Sequence, residues 1–264
     1  MAAQTGAAPR AAGTSNPAVR FLGRQRELIG VLLVLGIMPF AFRMAPENFA
    51  PFLMPELWRF LGEGVLMVIA ASVVAILVSL PLAVVFALAR LSPAPWLRWP
   101  SVAYVETIRA LPLLLVIFYI FLKMPSVSFG FFSREMLAVT AALIIYTASV
   151  NAELIRAGIL ALDKGQTEAA RSLGLSYWQA LRYIILPQTY QRVLPPLLAQ
   201  FTILLKDTSL GSIIGMVELL QRGKIIFQGF RNPMETLYIV AILYFTLNFI
   251  LGRISAATER RAPD

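Results

Sequence analysis

Apolar residues along this chain gather into long blocks separated by short polar stretches. The blocks run over about 61–89, 102–122, 136–155, 193–216 and 236–254. Each approaches or exceeds the roughly 20 residues a helix needs to cross about 30 Å of hydrocarbon. The fourth is interrupted: Thr208, Ser209, Gly211, Ser212 and Gly215 weaken a helix in mid-membrane, as in the discontinuous helices that border transport pathways. A shorter block at 28–42 follows Arg20, Arg24 and Arg26 and has the charged and apolar regions of a signal peptide. Arg43 spoils the small-residue cleavage pattern ending at Ala45, and Pro51 follows the one ending at Ala50, so an uncleaved, short first span is expected. The pattern predicts an all-α integral membrane protein with five to six transmembrane helices.

One polar stretch, between about 155 and 193, is too long to be a turn and should have structure of its own. Thr167 can cap a helix over 168–173, with Glu168 in the first turn where the helix dipole favours negative charge. Gly174 suits a left-handed stop. Ser176 and Gln179 form a capping-box pattern that opens a second helix, which should end at Leu186, before Pro187. Ala169 and Ala170 leave a shallow place where another protein could seat. On residue chemistry alone, a helical hairpin that merely covers the membrane helix ends fits equally well.

Composition sharpens this picture. The chain of 264 residues is 58% hydrophobic and only 14% charged, where soluble domains carry roughly 25% charged residues. It has neither cysteine nor histidine, which excludes thiolate catalysis, disulfides, histidine-ligated metals and histidine bases. No catalytic set and no metal site are expected. The net charge of +9 fits Lys and Arg retained on the cytoplasmic side better than nucleic-acid binding. With the amino terminus inside, fourteen of the 23 Lys and Arg residues fall in inner segments and seven in outer ones, Arg222, Lys224 and Arg231 among the latter; Arg109 and Lys206 lie within spans. Residues 1–26, rich in Ala, Gly, Ser, Pro and Arg, read as a disordered cytoplasmic tail, and 256–264 as a second one.

Charges inside the blocks are candidate chemistry, because a charge at a helix centre costs roughly 2.5–3.5 kcal/mol on insertion scales and normally faces protein or a wet cavity. Glu106 and Arg109 stand three apart on one helix face, as do Glu153 and Arg156. Lys206 and Asp207 are adjacent and do not share a face. With Thr208 and Ser209 these residues form the candidate substrate pathway: Lys206 or Arg109 could face a carboxylate, and Asp207, Glu106 or Glu153 an ammonium. Alternatively the pairs are structural and hold helix ends. Pro81 and Pro112 can kink their helices, while Pro195 and Pro196 suit a helix start.

The spaced pattern Glu168-Ala169-Ala170, Gly174, Ile184, Leu186-Pro187 resembles the Glu-Ala-Ala loop of ABC importer permeases. Two further segments are similar to the polar-amino-acid branch of that family. Leu205-Lys206-Asp207-Thr208-Ser209-Leu210 matches in full; Glu106-Thr107-Ile108-Arg109-Ala110-Leu111-Pro112-Leu113-Leu114 departs by carrying Ala110 and Leu111 where Gly and Thr are usual. The resemblance implies a multi-pass permease of the bacterial inner membrane. Its core would be 61–255, with a coupling loop at 158–192 that docks on a dimer of ATPase subunits, preceded by an extra membrane segment and periplasmic loop at 27–60. It also implies a second permease subunit, identical or homologous, a periplasmic amino-acid-binding protein, and a lipid environment. The leading substrates are polar L-amino acids, with glutamate, aspartate or glutamine first. No phosphate-binding loop occurs, since Gly223-Lys224 is followed by Ile225, so ATP and magnesium would sit on the partner and no cofactor on this chain. The other readings are an ion-coupled transporter or channel, an importer of another small solute, and a membrane enzyme. The first should show inverted repeats, which the sequence lacks, and the last has no convergent catalytic set.

Overall fold

The computed structural model describes residues 30–31, 33–126 and 132–259. The chain divides into two units, Met1–Ala45 and Pro46–Asp264. In the first, the described residues are helical over 33–41; the tail at 1–26 and residues 28, 29 and 32 of the expected first span lie outside the described residues, as do 260–264.

The second unit opens with a 3-10 helix, Pro46–Leu53, in the segment expected to be an outer loop, and continues into α1, Pro55–Leu91. Then follow α2 (Pro95–Ala110), α3 (Leu113–Lys123) and α4 (Arg134–Leu160). The polar loop carries α5 (Lys164–Ser172) and α6 (Tyr177–Ala180), the latter joined through a π turn at Leu181–Ile185 to α7 (Leu186–Asp207). A 3-10 segment, Thr208–Ile214, ends at Gly215, whose φ of +89° is left-handed; α8 (Leu219–Phe230) and α9 (Pro233–Glu259) complete the chain. Four helical stretches among the described residues are long and apolar enough to cross a membrane: Pro55–Leu91, Arg134–Leu160, Tyr177–Ile214 and Pro233–Ile254. The bent pair α2–α3 makes a fifth if it counts as one span.

Close packing of α1 on α4 organises the unit. The face that α1 turns inward is built from small residues: Gly64, Ala71, Ser72, Ala75, Ser79, Ala83 and Ala87 are all buried. Small side chains let backbones approach, which is how helices associate where lipid tails are as apolar as leucine. Ala71 and Ala75 share one cluster with Val139 and Leu143, whereas Ala83 and Ala87 share another with Ala152 and Ile155, so the two helices run parallel.

Several expectations need correction. The block at 102–122 is not one straight helix. It breaks by 105° between α2 and α3, because Pro112 biases Leu111 out of the helical region (φ −84°, ψ 139°) and cannot donate to the ladder. The loop's first helix starts at Lys164, not Glu168, since Asp163 caps it by accepting from Gly165 N. Its second helix does not stop before Pro187. In the π turn Leu186 N donates five residues back to Leu181 O, and this wider turn lets the helix run on past a residue with no N–H. Pro195 and Pro196 consequently lie inside α7 rather than at a helix start. Residues 219–230, expected in an outer connection, form α8, in which Arg222 is buried.

Candidate functional site

The loop at 158–192 presents its motif on a firm base. Gly174, at φ +81°, accepts the left-handed turn that ends α5, and Leu175 N closes it on Ala170 O at 3.2 Å. Ser176 and Gln179 form the expected reciprocal cap: Ser176 N donates to Gln179 Oε1 at 2.8 Å, and Gln179 N to Ser176 Oγ at 3.4 Å. Beneath, Leu162, Leu181 and Ile185 form a small core. Arg192 Nη1 donates to Ala161 O at 2.8 Å, and Gln188 Nε2 to Gln166 Oε1 at 3.3 Å, tying α7 to the ends of α4 and α5. Ala170 turns into this base, whereas Glu168, Ala169, Gly174 and Pro187 are exposed and Leu186 is half-buried. Leu173, Trp178 and Tyr183 are also exposed, as are Arg171 and Arg182, and the Arg182 guanidinium lies 5.8 Å from the centre of the Tyr183 ring.

The charges expected to pair along α2 pair across helices instead. Glu106 Oε1 accepts from Arg90 Nη2 at 2.7 Å rather than from Arg109. Arg90 also meets Glu153 at 3.0 Å, and Glu153 holds Arg156 through two bonds of 2.6 and 3.0 Å. The result is a chain Glu106–Arg90–Glu153–Arg156 linking α2, α1 and α4. Arg90 is its hub, with a side chain only 9% exposed against 60% for Glu106. Sequence reasoning counted Arg90 only as a loop cation; its position in the last turn of α1, beyond an otherwise apolar helix, was the available signal. Arg109 stays exposed on α2.

Lys206 and Asp207 line different openings beside α7. Lys206 and Ser209 line an opening of about 300 Å³ against α8 and α9, with Leu220, Leu237 and Tyr244. Asp207 lines a different one of about 360 Å³ with Leu113, Tyr146, Val150, Gln200, Ile203 and Leu210. Thr208 is buried and donates its hydroxyl to Leu205 O at 2.8 Å, and Ser209 donates to Lys206 O at 2.7 Å. Both hydroxyls therefore serve the 3-10 junction.

Two buried charges beside these openings escaped sequence reasoning. Glu218 caps α8, accepting from Leu220 N at 2.8 Å and Gln221 N at 2.9 Å, and takes the Tyr244 hydroxyl from α9 at 2.7 Å. Arg222 donates to Glu63 Oε2 at 2.8 Å and Phe60 O at 3.0 Å on α1, with its guanidinium 4.4 Å from the centre of the Phe60 ring. Glu218 and Arg222 stand four apart, so a helix beginning near Glu218 was the hint. Among the described residues no cluster of acidic side chains could hold a metal ion.

Several apolar spans, one of them broken, with charges held between helices and a structured polar loop, define a multi-pass membrane protein. Residues 79–262 match the family of binding-protein-dependent transport system inner membrane components, and the chain belongs to that family. It is 36% identical over 205 residues to the probable glutamine ABC transporter permease protein GlnP of Bacillus subtilis, covering 76% of this chain and 93% of that one. It is 34% identical over 221 residues to the glutamate transport system permease protein GluD of Corynebacterium glutamicum, covering 81% and 76% respectively. Among solved structures it is similar to an amino acid ABC transporter crystallised with histidines: TM-score 0.73, 31% identity, with 80% of this chain and 97% of that chain covered.

Proposed function

We propose that the chain is the permease subunit of an ATP-driven importer of polar L-amino acids, with ATP and magnesium bound by a separate ATPase dimer. The observation that carries this reading is the identity of 34–36% to relatives named for glutamine and glutamate transport, extending over most of the chain. The loop adds a physical reason. It exposes Glu168, Leu173, Trp178 and Tyr183, and its turn is pinned by capping and by the bond between Arg192 of α7 and the end of α4. A pinned, exposed loop of mixed apolar and charged residues suits docking, and the continuous helix α6–π–α7 would carry a push on the loop directly to Asp207. In this reading 158–192 faces the cytoplasm beside the ATPase, 61–255 forms the pathway with a second permease, identical or homologous, and a periplasmic binding protein delivers the amino acid in the bacterial inner membrane. Glu106, Arg109, Glu153, Lys206 and Asp207 supply charges along that pathway.

The test is purification of the tagged chain in mild detergent with identification of its partners, then ATPase measurement with glutamine, glutamate and aspartate on the binding protein. The reading expects an ATPase subunit to co-purify, hydrolysis to rise with loaded binding protein, and Glu168→Lys to abolish ATP-dependent uptake at normal protein levels. Transport by the isolated chain in liposomes driven by an ion gradient without ATP would overturn it.

A further inference from the structure

The bent helix pair α2–α3 leaves an exposed surface that the transport reading does not use. α3 runs antiparallel beside α4: Leu113 lines one opening with Tyr146, Val116 and Ile117 cluster with Val139 and Leu143, and Phe121 O accepts from Arg134. Because the chain turns by 105° between α2 and α3, α2 crosses the α1–α4 pair instead of running along it. Its depth is set by Arg90, which meets Glu106 at 2.7 Å. Residues 64–89 of α1 carry no charge, about 39 Å of helix that covers the roughly 30 Å of hydrocarbon, and Arg90 is the first charge beyond them. α2 therefore lies at the edge of the hydrocarbon, on the side where α1 and α4 end. At about 3.6 residues per turn its surface divides in three. Ser101 and Val105 are buried and Leu97, Tyr104 and Ile108 half-buried, all on the face toward the core. Trp96, Trp99, Ala103 and Ala110 form an exposed strip without charge, Trp96 being 74% and Trp99 66% exposed; Arg98, Glu106 and Arg109 form an exposed charged strip beside it. Glu106 is held by Arg90, whereas among the described residues no partner meets the Arg98 guanidinium or the two indole N–H groups.

We infer that α2 lies in the headgroup layer of the membrane and that Trp96, Arg98 and Trp99 bind the headgroup of an anionic phospholipid. This goes beyond the importer reading and does not depend on the solute carried. An apolar strip beside a charged one along a single helix is how interfacial helices lie: the first enters the acyl boundary and the second meets the headgroups. Tryptophan belongs at that depth, where its ring is apolar and its N–H finds a polar partner. The Arg98 guanidinium offers forked donors that match phosphate oxygens and has no carboxylate of this chain to satisfy them. With a net charge of +9 on the chain, an anionic headgroup is the complementary one. A lipid held there fixes the first turns of α2 and, through Glu106, the ion-pair chain to α1 and α4.

The experiment has two arms, both on the full-length chain purified with whatever partners accompany it. The chain has no cysteine, so Ala103→Cys on the uncharged strip and Arg98→Cys on the charged strip can each carry a single bimane label. In vesicles of phosphatidylcholine and phosphatidylglycerol, the label at 103 should be quenched by lipid brominated near the headgroup end of its acyl chains and the label at 98 by aqueous iodide. Quenching at 103 by neither agent places a protein on this face, and equal lipid quenching at both positions places α2 inside the hydrocarbon; either result overturns the inference. In the second arm, native mass spectrometry measures phosphatidylglycerol retained from an equimolar mixture with phosphatidylcholine. Arg98→Gln should lower retention about fivefold, equivalent to the about 1 kcal/mol that one cation contributes at an anionic surface. The double variant Trp96→Ala, Trp99→Ala should lower it at least as much. Lys123→Gln, an exposed cation at the far end of α3, should leave it unchanged. Undiminished retention in Arg98→Gln or in the tryptophan double variant, or an equal loss in Lys123→Gln, overturns the site.

Discussion

Gly62 and Gly64 lie two residues apart in the same helix, yet replacement by alanine should move stability in opposite directions. A Cβ on Gly64 would stand 2.8 Å from Leu219 Cα and 3.0 Å from Leu219 N. Carbon atoms pack at about 3.5–4.0 Å, so the methyl intrudes by roughly 0.7 Å or more on backbone, which cannot rotate aside as a side chain would. The start of α8 must move, and with it the buried Glu218 cap and the Arg222 contacts to α1. Overpacking of this kind costs about 1–3 kcal/mol. A Cβ on Gly62 meets nothing within 4 Å, so Gly62→Ala contributes only the helix-propensity gain of about 0.8–1 kcal/mol. Gly64→Ala has the same propensity gain, so the two variants should differ by the overpacking cost alone, about 1–3 kcal/mol. Thermal unfolding of the complex in one detergent, followed by the fraction that stays monodisperse, would register this as a clear separation in midpoint, Gly62→Ala above wild type and Gly64→Ala below. Equal midpoints for the two variants would refute the close approach of α8 to α1.

Arg90→Met should destabilise far more than Glu106→Gln, because it strips Glu153 and Glu106 of one shared, nearly buried partner while Glu106 is largely solvated; about 3 kcal/mol against less than about 1 is expected in chemical unfolding. Glu218→Ala and Tyr244→Phe should be non-additive in a double-mutant cycle, with coupling of about 1 kcal/mol for the 2.7 Å bond between them. Gly174→Ala meets no steric neighbour but is strained at φ +81°, so it should cost about 1–2 kcal/mol locally, loosen the loop to proteolysis and lower uptake more than overall stability.

How much was legible in the sequence follows the range of the forces concerned. The lengths of the apolar blocks, the weak point at Thr208–Ile214, the glycine stop at Gly174 and the Ser176–Gln179 cap are set by residues within a turn or two of each other, and composition states them directly. The excess of apolar residues placed the chain in a membrane for the same reason: backbone groups in hydrocarbon must satisfy one another locally, as helices do. The spacing of the Glu168 motif likewise survives intact in one dimension.

Partners across helices do not. Glu106 chose Arg90 over Arg109, three residues away, because the α2–α3 break and the packing of α2 on α1 and α4 bring a better-enclosed cation to it. Pro187 failed to stop its helix because a π turn just before it absorbed the missing donor. Glu218 and Arg222 looked like loop charges until α8 folded back on α1 and α9, where Glu63, the Phe60 carbonyl and Tyr244 receive them. Gln200 carried no signal at all; only the packing of α3 and α4 beside α7 places it in the lining of the same opening as Asp207. By itself the sequence determined which segments are helices in lipid and where they weaken, since those choices are local. Only the tertiary structure decided which charges meet and which line openings between helices, because pairing depends on distances between segments far apart along the chain.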